Sequence, residues 1–152
     1  MKKLFITLSL LAVSLSGFSQ TCEAREVKLL EAVGGFSAAM LYNTYGFIGS
    51  ISDGYAHDAY DALTIHDLMD AQKRVADNLV KVVEVLKNEG YLKDVKDREY
   101  AVSIINVLKG LKKQAQLLED YTDNKSRQKQ EAYDAQRKQN WSAISKLMGI
   151  DE

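Results

Sequence analysis

Residues 32–52 read AVGGFSAAMLYNTYGFIGSIS and contain no Asp, Glu, Lys, Arg or His, in a chain where 27% of positions are charged. A helix exposed on its outer side carries charge there. The stretch therefore predicts a helix buried on most of its circumference and central to the fold. Its length would span a bilayer, since about 20 apolar residues suffice. Its composition points the other way: Leu, Ile, Val, Phe and Met fill only seven of the 21 positions, beside Tyr42, Asn43, Thr44, Tyr45 and four glycines. Gly34 with Ala38, Gly35 with Ala39 and Gly46 with Ser50 form small-x-x-x-small pairs that admit a second backbone closely. An interior glycine costs a helix about 1 kcal/mol against alanine, so these glycines require either packing or a break at Gly34-Gly35.

Working outward, the chain opens on MKKLFITLSLLAVSLSGFSQ. Lys2 and Lys3 form a basic start, Leu4 to Leu15 an apolar run, and Gly17-Phe18-Ser19 a small-x-small cleavage signal. Together these are the three parts of a secretory signal peptide. Cleavage after Ser19 removes 19 of 152 residues and leaves a single domain of 133, residues 20–152, with 18 basic against 21 acidic residues. A net charge of −3 gives no whole-molecule attraction to nucleic acid. The lone Cys22 follows Ser19-Gln20-Thr21, a poor match to a lipid-attachment signal, so membrane association is expected only if that cysteine is lipidated. One cysteine also excludes an intramolecular disulfide, and a buried core must hold the fold together.

No proline occurs in the sequence, which favours long uninterrupted helices. Helix one is expected over Glu23–Ser52, with Leu29, Val33, Phe36, Met40, Phe47 and Ile51 sharing one face, Leu30, Leu41 and Ile48 broadening it, and Asp53-Gly54 closing the helix. Helix two starts between Asp58 and Thr64 and ends at Asn88-Glu89-Gly90. Its seam is Ile65, Leu68, Gln72, Val75, Leu79, Val82 and Leu86. Helix three begins near Asp97, capped by Asp94 or Asp97, with Ala101, Ile104, Leu108, Leu111, Ala115 and Leu118 inward. Helix four runs from Ser126 to Met148. Its charged first half projects into water, and its second half docks through Trp141, Ile144, Leu147 and Met148. The fold class is all-α, an up-and-down four-helix bundle after a cleaved N-terminal signal peptide.

Chemistry-bearing residues concentrate in Asp53–Asp70, DGYAHDAYDALTIHDLMD, which holds five aspartates and both histidines but no lysine or arginine. Carboxylates with imidazoles are the ligand set of zinc-like cations. On one helix, however, nine residues between His57 and His66 turn through 900°, so the two side chains point to opposite sides. A shared site requires His57 in a loop. The simpler reading has Asp58 or Asp61 capping helix two and the histidines on the surface, and no metal is assigned. Tyr42, Tyr45, Asp53, Tyr55, His57, Asp61 and His66 are the candidate ligand-binding residues. Lys125, Arg127, Lys129, Arg137 and Lys138 form a basic run suited to meeting an acidic partner.

No catalytic constellation is present: there is no G-x-S-x-G, no glycine-rich phosphate loop, and no C-x-x-C-H for covalent haem. The reading is an exported, non-enzymatic helical interaction protein of the cell envelope, periplasmic or secreted, with a protein partner or a second copy of itself and no cofactor. The alternative is a small module binding a metal ion or a polar ligand within residues 42–70.

Overall fold

The computed structural model describes residues 2–150, with side chains from residue 24 onward. The signal-peptide side chains and Cys22 lie outside those described. The described residues form four helices that pack against each other: α1 (Lys2–Ala56), α2 (Ala62–Asn88), α3 (Val95–Asp123) and α4 (Arg127–Met148). Two compact units are present, one through Ser37 and one from Ala38. No described helix is long and apolar enough to cross a membrane.

The helix ends follow local side-chain chemistry. The Asp61 carboxylate accepts from the Thr64 amide at 2.8 Å, Asp94 from the Lys96 amide at 2.7 Å, and the Ser126 hydroxyl from the Lys129 amide at 3.3 Å. Each satisfies a backbone donor that the first turn leaves unpaired. Gly149 ends α4 in the left-handed conformation, φ 65°. Both ends of α1 lie beyond the expected ones: it begins at Lys2, not Glu23, and continues past Asp53-Gly54 to Ala56. The amides of His57 and Ala59 bond back to the carbonyls of Asp53 and Gly54, and Asp58, at φ 57°, takes the left-handed turn instead.

In the unit from Ala38, α3 is the helix most surrounded. Ala101, Ile104, Leu108, Leu111, Ala115 and Leu118 are all buried, as their spacing requires. Burying each large apolar side chain among them stabilises the fold by roughly 1.5–3 kcal/mol. Pairs between α2 and α3 run in opposite senses: His66 meets Asp123, Lys73 meets Glu119, and Asp77 meets Lys112. The same holds for α3 and α4, where Lys129 bonds the Asp120 carbonyl and Asn140 bonds Gln114.

The central place expected for residues 32–52 is not theirs. Leu41, Ile48, Ile51 and Tyr55 are buried, yet Val33, Phe36, Met40, Tyr42 and Phe47 are exposed. A stretch without charges has no polar side to reveal which face turns inward: of the expected face Leu41, Ile48 and Ile51 are buried, while Val33, Phe36, Met40 and Phe47 are not. The chain also shows no helix break at Gly34-Gly35. In α2 the buried positions are Ile65, Met69 and Ala76, while Val75 and Val82 of the expected seam face outward. Helix α4 docks through its middle, with Tyr133, Gln136, Asn140 and Ile144 buried, whereas Trp141 stays 40% exposed. Two amides can enter this core because they find hydrogen-bond partners there.

Candidate functional site

The candidate ligand residues fall in several neighbourhoods. Tyr42 and Tyr45, one turn apart on α1, stack against Trp141 with centroids 6.2 and 5.6 Å away. Asp53 lies further along that helix, 3.7 Å from the Arg137 guanidinium, which also passes beside Gly49. Tyr55 is buried elsewhere: its hydroxyl donates to the Thr122 carbonyl at 3.4 Å, and its ring meets Tyr121 edge-on and carries the Lys125 ammonium 4.4 Å from its centroid.

The two histidines do not meet in one cluster. His57 sits in the α1–α2 turn with Nδ1 2.8 Å from the Asp53 carbonyl. Asp61 is occupied as the α2 cap. The His66 ring bridges α2 and α3, with Nε2 2.8 Å from an Asp123 oxygen and Nδ1 3.9 Å from Glu119 Oε1. Among the described residues, no group of three or more His, Cys, Asp or Glu is arranged to hold a metal ion.

Nor is the basic run one uniform surface. Lys125 is used on Tyr55, Arg127 pairs with Glu131 at 2.8 Å, and Lys129 donates to the Asp120 carbonyl at 2.6 Å. Arg137 is held at Asp53, which leaves Lys138, an exposed residue, and the outer part of Arg127 facing water. Exposed pairs of this kind contribute about 0–1 kcal/mol each.

Sequence reasoning missed two polar clusters inside the fold. In the first, Glu119 is only 2% exposed, and its Oε2 accepts from Lys73, which also reaches Asp70 at 2.8 Å and Gln116 at 3.1 Å. Burial alone would lower the Lys73 pKa, but the Asp70 and Glu119 carboxylates outweigh it and raise the value above the usual one. The second cluster is a layer of amides. Asn140 donates to Gln114 at 2.8 Å, Gln136 donates to Asn140 at 2.9 Å, and Gln114 donates to the Tyr133 hydroxyl at 3.5 Å. The spacing Tyr133, Gln136, Asn140, Ile144 was the available signal, a helical stripe whose two ends are apolar.

Burial pushes the Tyr133 phenol above its ordinary range, against smaller opposing effects of Ser52, Gln114 and Arg137. Raised folded values at Tyr133 and Lys73 mean that the native state holds both protons more tightly than the unfolded chain. Their contribution is complete below the unfolded values, near pH 10, and is lost as pH rises through the folded ones. Stability should therefore fall above about pH 10. In Tyr133→Phe that fall should be shallower, measured as the urea midpoint between pH 8 and 11. An unchanged slope would clear Tyr133 of any part in it.

A cleft of about 370 Å³ lies between α3 and α4, lined by Tyr100, Ser103, Asn106, Val107, Ala143, Lys146 and Leu147. It is remote in sequence from every candidate ligand residue. No protein family, no curated protein and no solved structure matches the chain.

Proposed function

We propose that the chain is an exported helical interaction protein of the cell envelope, an up-and-down bundle freed of Met1–Ser19, whose work is contact and not catalysis. The observation that carries this reading is the exposure of large apolar side chains within a charge-free run: Val33 and Phe36 in the unit through Ser37, Met40 and Phe47 in the unit from Ala38. Large apolar patches on a soluble surface mark interaction sites more often than bare surface. Support also comes from the polar candidates, since His57, Asp61, His66, Asp53 and Tyr55 each engage a neighbour in their own chain.

The test places a photo-activated cross-linking residue at Phe36, Leu63 or Lys138 and irradiates cells. Covalent adducts in the envelope fraction are expected from at least one position, on protein whose mass lacks the first 19 residues. Intact protein in the cytosol would refute export. Absence of adducts at all three positions, or stoichiometric metal retained through purification, would favour the ligand-binding alternative.

A further inference from the structure

We infer that His66 is an acid-operated clamp between α2 and α3: by taking up a proton at Nδ1 it supplies the donor that the buried Glu119 Oε1 lacks. Asp123 sets the starting tautomer. Its Oδ1 lies 2.8 Å from His66 Nε2, and an ionised carboxylate only accepts, so the hydrogen of the neutral ring is assigned to Nε2. Nδ1 is then a bare acceptor turned toward Glu119 Oε1, 3.9 Å away. Two acceptors make no bond. Glu119 Oε1 accordingly has no hydrogen-bond partner among the described groups, on a side chain only 3% exposed. A buried carboxylate oxygen left in this way weakens the fold. A proton on Nδ1 turns the same approach into a charge-assisted hydrogen bond. The imidazolium then holds Glu119 and Asp123, one turn apart on α3, from a single side chain of α2.

The surroundings favour that charge. On α3, two carboxylates face the ring, and the last turn has no basic residue of its own at the negative end of the helix. His66 lies past the first turn of α2, where the opposing influence of that helix's positive end has faded. Further along α2, Lys73 is shared between Asp70 and Glu119 Oε2, which leaves Oε1 for the ring. From α1 comes an uncharged group, the Tyr55 phenol, bonded to the Thr122 carbonyl. Cations beyond the end of α3 are engaged elsewhere: Lys125 lies over the Tyr55 ring, and Lys129 of α4 bonds the Asp120 carbonyl. With 35% of its side chain exposed, His66 exchanges its proton directly with solvent.

A folded chain that binds this proton more readily than the unfolded chain gains stability as pH falls through the range where histidine titrates, roughly pH 8 to 5.5. In urea denaturation, the folded-to-unfolded ratio of the wild type relative to that of His66→Gln should rise about fivefold between those two pH values. His57→Gln is the control. His57 is the other histidine of the chain and rests on the Asp53 carbonyl, so its removal should leave the wild-type pH dependence in place. Nitrogen-15 NMR of the histidine-labelled wild type follows the proton without any substitution, and decides the matter even if His66→Gln fails to fold. At pH 8 the His66 ring should be the Nε2–H tautomer, and at pH 5.5 the imidazolium. An Nδ1–H tautomer at pH 8 overturns the proposal, as does a His66 ring that titrates no differently from that of exposed His57. Equal pH dependence in the wild type and His66→Gln overturns it too. A gain in stability at pH 5.5 with His66 still neutral would place the proton on Glu119 and overturn it as well.

Discussion

Lys73→Met should lower the unfolding free energy by about 3 kcal/mol, read from urea denaturation near neutral pH. Glu119 sits inside α3 with 3% of its side chain exposed, and Lys73 on α2 is the cation that meets its Oε2. Methionine keeps the bulk of the lysine stem but removes the charge, leaving a carboxylate in a low-dielectric site. Its Oε1 already has no hydrogen-bond partner among the described groups, so the carboxylate has little left to lean on. Removing one member of a buried pair exposes the desolvation penalty of the other. Lys73→Met with Glu119→Met removes both charges and should recover most of the loss, because an apolar pair of similar volume replaces a buried ion pair at little net cost. The exposed Lys112–Asp77 bridge between the same two helices is the comparison, and Lys112→Met should change stability by less than about 1 kcal/mol. If Lys73→Met behaves like Lys112→Met, the buried pair does not hold α2 to α3.

Gly110→Ala should destabilise by about 2 kcal/mol, even though alanine favours a helix over glycine by about 1 kcal/mol. A methyl group at this position runs into the Asn140 amide oxygen, with Gln136 Nε2 3.5 Å away. That oxygen accepts the Gln136 hydrogen bond, so moving Asn140 aside also strains its bond to Gln114. Asn140→Ala alone should cost about 2 kcal/mol, since it strips partners from Gln114 and Gln136, both buried. The two changes together should cost clearly less than their sum: once Asn140 is cut back, the alanine at 110 has room. Such a coupling of opposite sign to the single losses is what shared space produces. Strict additivity, measured by denaturation of the four variants, would mean that α3 and α4 do not approach closely at Gly110.

The parts of this protein legible in its sequence are those governed by neighbours along the chain. Asp61, Asp94, Ser126 and Gly149 mark helix ends because a cap needs only a few adjacent residues. The α3 seam was legible as well, because charges interrupt it on the outer side and fix its inward face. The α1 face was legible only in part: Leu41, Ile48 and Ile51 belong to the expected face, but a run without charge looks apolar from every direction and does not show that Val33, Phe36, Met40 and Phe47 stay outside. The candidate site shows the same division. The sequence gathers His57, Asp61 and His66 into one short segment, but the turn at Asp58 and the approach of α3 give each a separate partner. Gln114, Gln136, Asn140, Lys73 and Glu119 read as surface residues in one dimension. All but the half-buried Lys73 lie inside because the registers of α2, α3 and α4 bring donor to acceptor, and a buried polar group is tolerated only when that pairing is met.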